Sequence, residues 1–180
     1  MKNKVSAVEK WIALHKNNSP LYIWGTGSSA RAFIKAYPNI PVTAFIQNGG
    51  SNKKFFDKNC FSPESVDIKN GIVIIASEFY EDISTDLLKF GLSEKQFVTH
   101  SELMMDDADC CLISYQKSGR TWLRTMIGRY YQLVEKLEEK DILKITESGA
   151  FFTSSRPNMP NIVAHHDDNA HRKRANDLYF

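Results

Sequence analysis

Pro20-Leu-Tyr-Ile-Trp-Gly-Thr-Gly-Ser-Ser-Ala30 is the stretch on which the fold turns. Leu21 to Trp24 is an apolar run that reads as a strand. Gly25 and Gly27 follow at once. Residues 28–37 read as a helix ended by Pro38, and Val42 to Ile46 as a second strand. The result is a β-α-β unit with G-x-G-x-x-A at its first turn. In that setting the first glycine makes a tight turn, and the second lets a pyrophosphate approach the helix N-terminus. Gly25, Gly27 and Ser28 are therefore a candidate nucleotide site. An Asp or Glu ordinarily ends the second strand and holds a ribose hydroxyl. Gln47 and Asn48 stand there instead, so the charged signature is missing. The other reading is that the glycines only let helix and sheet pack closely.

The neighbouring segments extend the pattern. Upstream, Val5, Val8, Trp11, Ile12 and Leu14 fall at helical spacing. Downstream, residues 48–54 read as a polar loop, and 55–61 as apolar at intervals. Ser62-Pro63-Glu64 looks like a helix start. Gly71 to Ala76 is a buried strand. Tyr80 to Phe90 is a helix with Ile83, Leu87 and Leu88 inward and Gly91 at its end. Gln96 to Val98 is a last short strand. Strands alternating with helices predict a small parallel α/β sheet. In pattern, residues 18–100 resemble the small Rossmann-like domains that accompany sugar- and polysaccharide-modifying enzymes. The acidic run Asp106-Asp-Ala-Asp109 reads as a solvated linker. The first domain is thus placed at residues 1–107, the second at 108–180.

Composition excludes some classes. Apolar residues make up 42% and charged residues 24% of the 180, ordinary for a globular protein. No apolar run approaches the roughly 20 residues of a membrane-spanning helix. Residues 1–5 lead into an amphipathic segment, not an apolar signal core. Three cysteines, two of them adjacent, make neither a disulfide framework nor a metal spacing. A reducing cytoplasm is the simplest location, with no metal expected. A net charge of +2 is too small to argue for nucleic acid. The charge is uneven: 12 Lys+Arg against 13 Asp+Glu through residue 109 (−1), then 11 against 8 (+3).

That positive excess surrounds a second motif, Cys111-Leu-Ile-Ser-Tyr-Gln-Lys-Ser-Gly-Arg-Thr-Trp-Leu-Arg124. Cys110 to Ile113 reads as a short buried strand. It breaks into Lys117-Ser118-Gly119, then opens into a helix over about 121–137. Leu123, Met126, Ile127, Tyr130, Leu133 and Leu137 are expected to face a core. A strand, a tight loop with Lys and Gly, and a helix N-terminus together predict an anion site. The first helical N–H groups lack partners, Gly119 permits close approach and Lys117 adds a positive charge. The Walker A spacing is absent, which argues against an ordinary P-loop ATPase or kinase.

Tyr115-Gln-Lys-Ser-Gly-Arg-Thr-Trp-Leu123 resembles the 5′-phosphosulfate loop of the PAPS-dependent sulfotransferases, whose pattern is approximately Y-P-K-S-G-[TR]-T-W-L. The resemblance implies a P-loop-like α/β domain that binds PAPS (3′-phosphoadenylyl sulfate) through Lys117, Ser118, Gly119, Arg120, Thr121 and Trp122. Trp122 would stack on the adenine; its other reading is core packing. The implied reaction is transfer of a sulfuryl group to a hydroxyl or amine of a small-molecule or glycan acceptor. Such transfer needs a cation at the leaving phosphate oxygen and a base for the acceptor's proton. Lys117 fits the first role. The family's catalytic His closes a strand in a P-R-x-x-x-T-H pattern, onto which Pro160-Asn-Ile-Val-Ala-His-His166 aligns. This makes His166 the expected base and His165 the fallback. Asp167 and Asp168, and the basic cluster His171 to Arg174, read as solvated loop.

The pattern also departs from the family. Gln116 replaces a Pro and loosens the loop's pre-set φ. Arg120 adds a charge able to pair with phosphate oxygens. The family's later segments, which bind the 3′-phosphate, have no counterpart before Phe180. The second domain is therefore expected to be incomplete, a fragment or a truncated product with doubtful activity. The alternative function is a nucleotide or nucleotide-sugar binding module carrying an inactive sulfotransferase remnant.

Overall fold

The computed structural model describes residues 5–15, 19–114, 119–143, 145 and 159–166, with backbone alone at 51–53, 113, 114, 165 and 166. The chain divides into two compact units, Met1–Asp107 and Ala108–Phe180.

The first unit is α/β, with a mixed, mostly parallel sheet. In chain order it contains α1 (Ala7–His15), β1 (Leu21–Trp24), α2 (Ser28–Ala36), β2 (Ala44–Ile46), β3 (Ser51–Phe55), β4 (Lys58–Phe61), β5 (Ile72–Ile75), α3 (Tyr80–Lys89), β6 (Phe97–Thr99) and α4 (His100–Asp107). The sheet order is β3-β4-β2-β1-β5-β6. Only β3 runs antiparallel, at the edge. β1 is central: Tyr22 pairs with Ala44 of β2 on one side and Val73 of β5 on the other. Every residue of β1 and β5 is buried, as expected for parallel strands covered on both faces. Ile83 and Leu87 of α3 pack with Tyr22, Trp24, Ala44, Ile46, Val73 and Ile75 on one face. On the other, Arg31 of α2 lies 4.7 Å over the Phe55 ring, which stacks edge-on against Phe45. Burial of each large apolar side chain contributes about 1.5–3 kcal/mol, so this core dominates the unit's stability.

Three local features differ from the sequence reading. Residues 51–54 of the expected polar loop belong, with Phe55, to a strand that forms a hairpin with β4. Its turn residues, Phe56 and Asp57, have φ of +47° and +60°. Positive φ at both centres is the conformation that suits a two-residue hairpin, but without Asn or Gly its usual sequence signal is absent. The helix expected at Pro63 is a single 3₁₀ turn, ended by extended Val66. The acidic run is not a free linker. Asp106 and Asp107 end α4, and the Asp107 carboxylate accepts bonds from the Ala7 N–H (2.5 Å) and the Tyr37 hydroxyl (2.9 Å).

The second unit contains β7 (Cys110–Ser114), α5 (Arg120–Val134) and β8 (Ile162–His166). β7 and β8 are parallel, with Cys110 opposite Ile162 and Ser114 opposite His166. Before the strands, Asp109 N–H donates to the Asn161 carbonyl (2.8 Å), and Asn161 N–H donates to the Asp109 carboxylate (2.9 Å). Leu137, Ile145 and Met159 form a small core with Tyr131 against it. Cys110 and Cys111 are exposed, which corrects the buried strand expected there. The expected inward face of α5 is corrected too. Leu123, Met126, Tyr130 and Leu133 are exposed, the last at 62%. The buried position of α5 is Gly128, against Ile142. Apolar spacing establishes that one face of a helix is apolar, not that another element covers it.

Candidate functional site

The second unit brings the ends of two distant segments together. Ser114 is the last residue of β7, and the register sets it beside His166, the last residue of β8. Both strands run the same way, so both carboxyl ends lie at one edge, where open α/β sheets place their ligands. Of the loop between β7 and α5, Lys117 and Ser118 lie outside the described residues, as do Asp167, Asp168 and residues 171–174. The backbone places His165 and His166 opposite Ile113 and Ser114.

Gly119 is the N-cap of α5, at φ +80°. This left-handed conformation costs other L-residues about 1–2 kcal/mol. A Cβ at Gly119 would meet nothing within 4 Å, so the space over the turn is open. Gly119 itself brings no side-chain cap. The N-terminus of α5 carries the positive end of the helix dipole, which favours negative charge. Burial and repulsion from Arg124 hold the Arg120 guanidinium below its ordinary pKa. Two cations one helical turn apart repel, and an anion beside them relieves that repulsion. Thr121 is exposed. Trp122 is 75% exposed, so it is not packed into a core and its ring is open for stacking.

The other candidates sit at the first turn of the first unit. Gly25 has φ +127°, and a Cβ there would overlap the carbonyl oxygen of Ala76 at the end of β5. Its N–H donates to the Ile46 carbonyl (2.9 Å), and the Ala76 N–H donates to the Trp24 carbonyl (2.8 Å). Close approach of the protein's own backbone therefore accounts for this glycine. Gly27 differs. It caps α2 at φ −81°, and a Cβ there would meet nothing within 4 Å. Ser28, the first residue of α2, is exposed. The Thr26 hydroxyl donates to the Gln47 side-chain carbonyl (2.7 Å).

Beside Gly25 opens a cleft of about 260 Å³, lined by Trp24, Gln47, Asn48, Ser77, Phe79, Asp82, Ile83 and Asp86. It lies at the carboxyl ends of β1, β2 and β5. The chain leaves β1 for β2 on one side and returns to β5 on the other, which makes this the topological switch point of the sheet. Reading along the chain missed Ser77, Phe79, Asp82 and Asp86. Each is unremarkable in sequence, and only the strand order brings them to Gln47 and Asn48.

Among the described residues, no group of three or more His, Cys, Asp or Glu is placed to hold a metal ion. Among the same residues, no helix is long and apolar enough to cross a membrane. No protein-family model matches the chain, and neither a curated protein nor a solved structure matches it.

Proposed function

We propose that the second unit binds 3′-phosphoadenylyl sulfate at the loop between β7 and α5, as part of a sulfotransferase with a P-loop-like fold. The observation that carries this reading is the β7–β8 register. Ser114, which leads into the Lys117 loop, lies beside His166. Two motifs about fifty residues apart in the chain thus share one sheet edge, which sulfuryl transfer requires of its cation and its base. The open turn at Gly119 and the N-terminus of α5 fit a phosphate.

In this reading Gly119, the α5 N–H groups, Arg120 and Thr121 hold the 5′-phosphate, with Ser118 beside them. Trp122 stacks on the adenine. The bound co-substrate supplies the sulfuryl group. Lys117 keeps positive charge at the leaving oxygen, and His166 takes the proton from the acceptor's hydroxyl or amine. The test is calorimetric titration of the full chain with adenosine 3′,5′-bisphosphate in EDTA. Binding is expected without metal. Lys117→Ala should weaken it about 10- to 100-fold, as loss of a charge-assisted bond implies, and His166→Ala should leave it unchanged. No binding, or binding only with Mg²⁺, would overturn the proposal.

The alternative is a Rossmann-like nucleotide or nucleotide-sugar module in the first unit, at Gly25, Gly27 and Ser28. What favours it is Gly27, a glycine that no contact or positive φ of the fold demands.

A further inference from the structure

The geometry points to an uncharged sugar ring as the ligand of the first-unit cleft, a site separate from the β7–α5 loop and independent of the sulfotransferase reading. The lining residues carry the inference. Asp82 and Asp86 bring carboxylates, Gln47 and Asn48 amides, and Ser77 a hydroxyl. Among the described residues, neither Lys nor Arg lines the cleft. The Lys89 ammonium lies 3.0 Å from the Asp86 carboxylate. A pyrophosphate would bring its charges against two carboxylates with no lining cation to balance them. The Gln47 carbonyl already accepts from Thr26, which leaves its amide N–H groups to donate.

Carboxylates accept from sugar hydroxyls, and amides donate to them. The C–H face of a pyranose needs an apolar wall, and Phe79 provides one. Phe79 is 72% exposed, a large aromatic held in water beside the cleft. The volume agrees. About 260 Å³ lies below the roughly 300–1,000 Å³ of pockets for drug-sized ligands. It is of the size of one sugar residue. With Asp86 paired to Lys89, the Asp82 carboxylate stays without a lining cation, and the spermidine titration separates a sugar from a polyamine.

The test is an NMR titration of the full ¹⁵N-labelled chain with the methyl glycosides of glucose, galactose, mannose and N-acetylglucosamine at millimolar concentration. ADP and spermidine are titrated in parallel. At least one glycoside should shift the amides of Gln47, Asn48, Ser77 and Phe79, and ADP and spermidine should not. Phe79→Ala, at an exposed position the fold tolerates, should weaken that glycoside about tenfold and leave adenosine 3′,5′-bisphosphate binding unchanged. The inference is overturned if no glycoside shifts these amides, if ADP or spermidine shifts them as strongly, or if Phe79→Ala leaves glycoside binding intact. Because the bisphosphate is titrated separately, failure here is distinguishable from failure of the sulfotransferase reading.

Discussion

Replacing Gly25 by Ala separates the two explanations of the glycine motif. The new Cβ would overlap the Ala76 carbonyl oxygen, and the backbone φ of +127° is one that L-residues rarely adopt. The strained backbone costs about 1–3 kcal/mol. Relieving the overlap pushes β1 and β5 apart at their ends, where the Ala76 N–H donates to Trp24 at 2.8 Å. Losing that buried bond costs a further 1–3 kcal/mol or so. A total of roughly 2–6 kcal/mol is a large fraction of the ~5–15 kcal/mol that holds a typical domain. Gly27→Ala is the control. Its φ is −81° and its surroundings are open, so it should lose no more than about 1 kcal/mol, the effect of a poorer helix cap. Hydrogen exchange of the β1 and β5 amides across a urea series reports the first unit alone. If Gly25→Ala lost less than about 1 kcal/mol on this measure, close backbone packing would not be what the glycine serves. The packing explanation would then fail.

Other outcomes follow from single contacts. Gly128→Ala should destabilise the second unit by about 2 kcal/mol or more in chemical denaturation. Its Cβ would overlap the Ile142 carbonyl, and the ~1 kcal/mol gain in helix propensity is too small to offset a core clash. Tyr37→Phe should cost the first unit about 1–2 kcal/mol in the same assay. It removes the hydroxyl that donates to Asp107 at 2.9 Å, while the apolar ring packing on Phe33 remains. His100 donates from Nδ1 to the Ile75 carbonyl (3.1 Å), and burial lowers its pKa below the ordinary value. The unfolded chain therefore binds this proton more readily than the folded one. His100's contribution should be complete above about pH 6.5 and decline as pH falls toward the folded value. Melting temperatures from pH 8 to 5 test this, and His100→Gln should flatten the profile.

The central strands were legible because each is a self-contained signal. Leu21–Trp24 and Ile72–Ile75 are apolar throughout, and a run buried on both faces leaves no other reading once glycine or proline bounds it. The edge hairpin was not, because Phe56-Asp57 reaches positive φ through tertiary packing, without the residues that favour it locally. The α5 face misled for the opposite reason: its spacing is correct, yet its covering depends on other elements. At the candidate sites, Lys117 to Trp122 and His166 stood out individually. The pairing of Ser114 with His166 did not, because it rests on one strand register between segments far apart in the chain.

By itself, the sequence determined the α/β class, the positions of the main strands and helices, and the chemical types gathered at residues 117–122. These are properties of local windows, set by side-chain periodicity and by the φ/ψ that glycine and proline permit. Tertiary structure alone decided the strand order and register. The order β2-β1-β5 gathers Gln47, Asn48, Ser77, Phe79, Asp82 and Asp86 around one cleft, and the register sets Ser114 beside His166. Neither follows from a local window. Pairing between distant strands is chosen by the burial and hydrogen bonding of the whole sheet, to which each segment contributes only one edge.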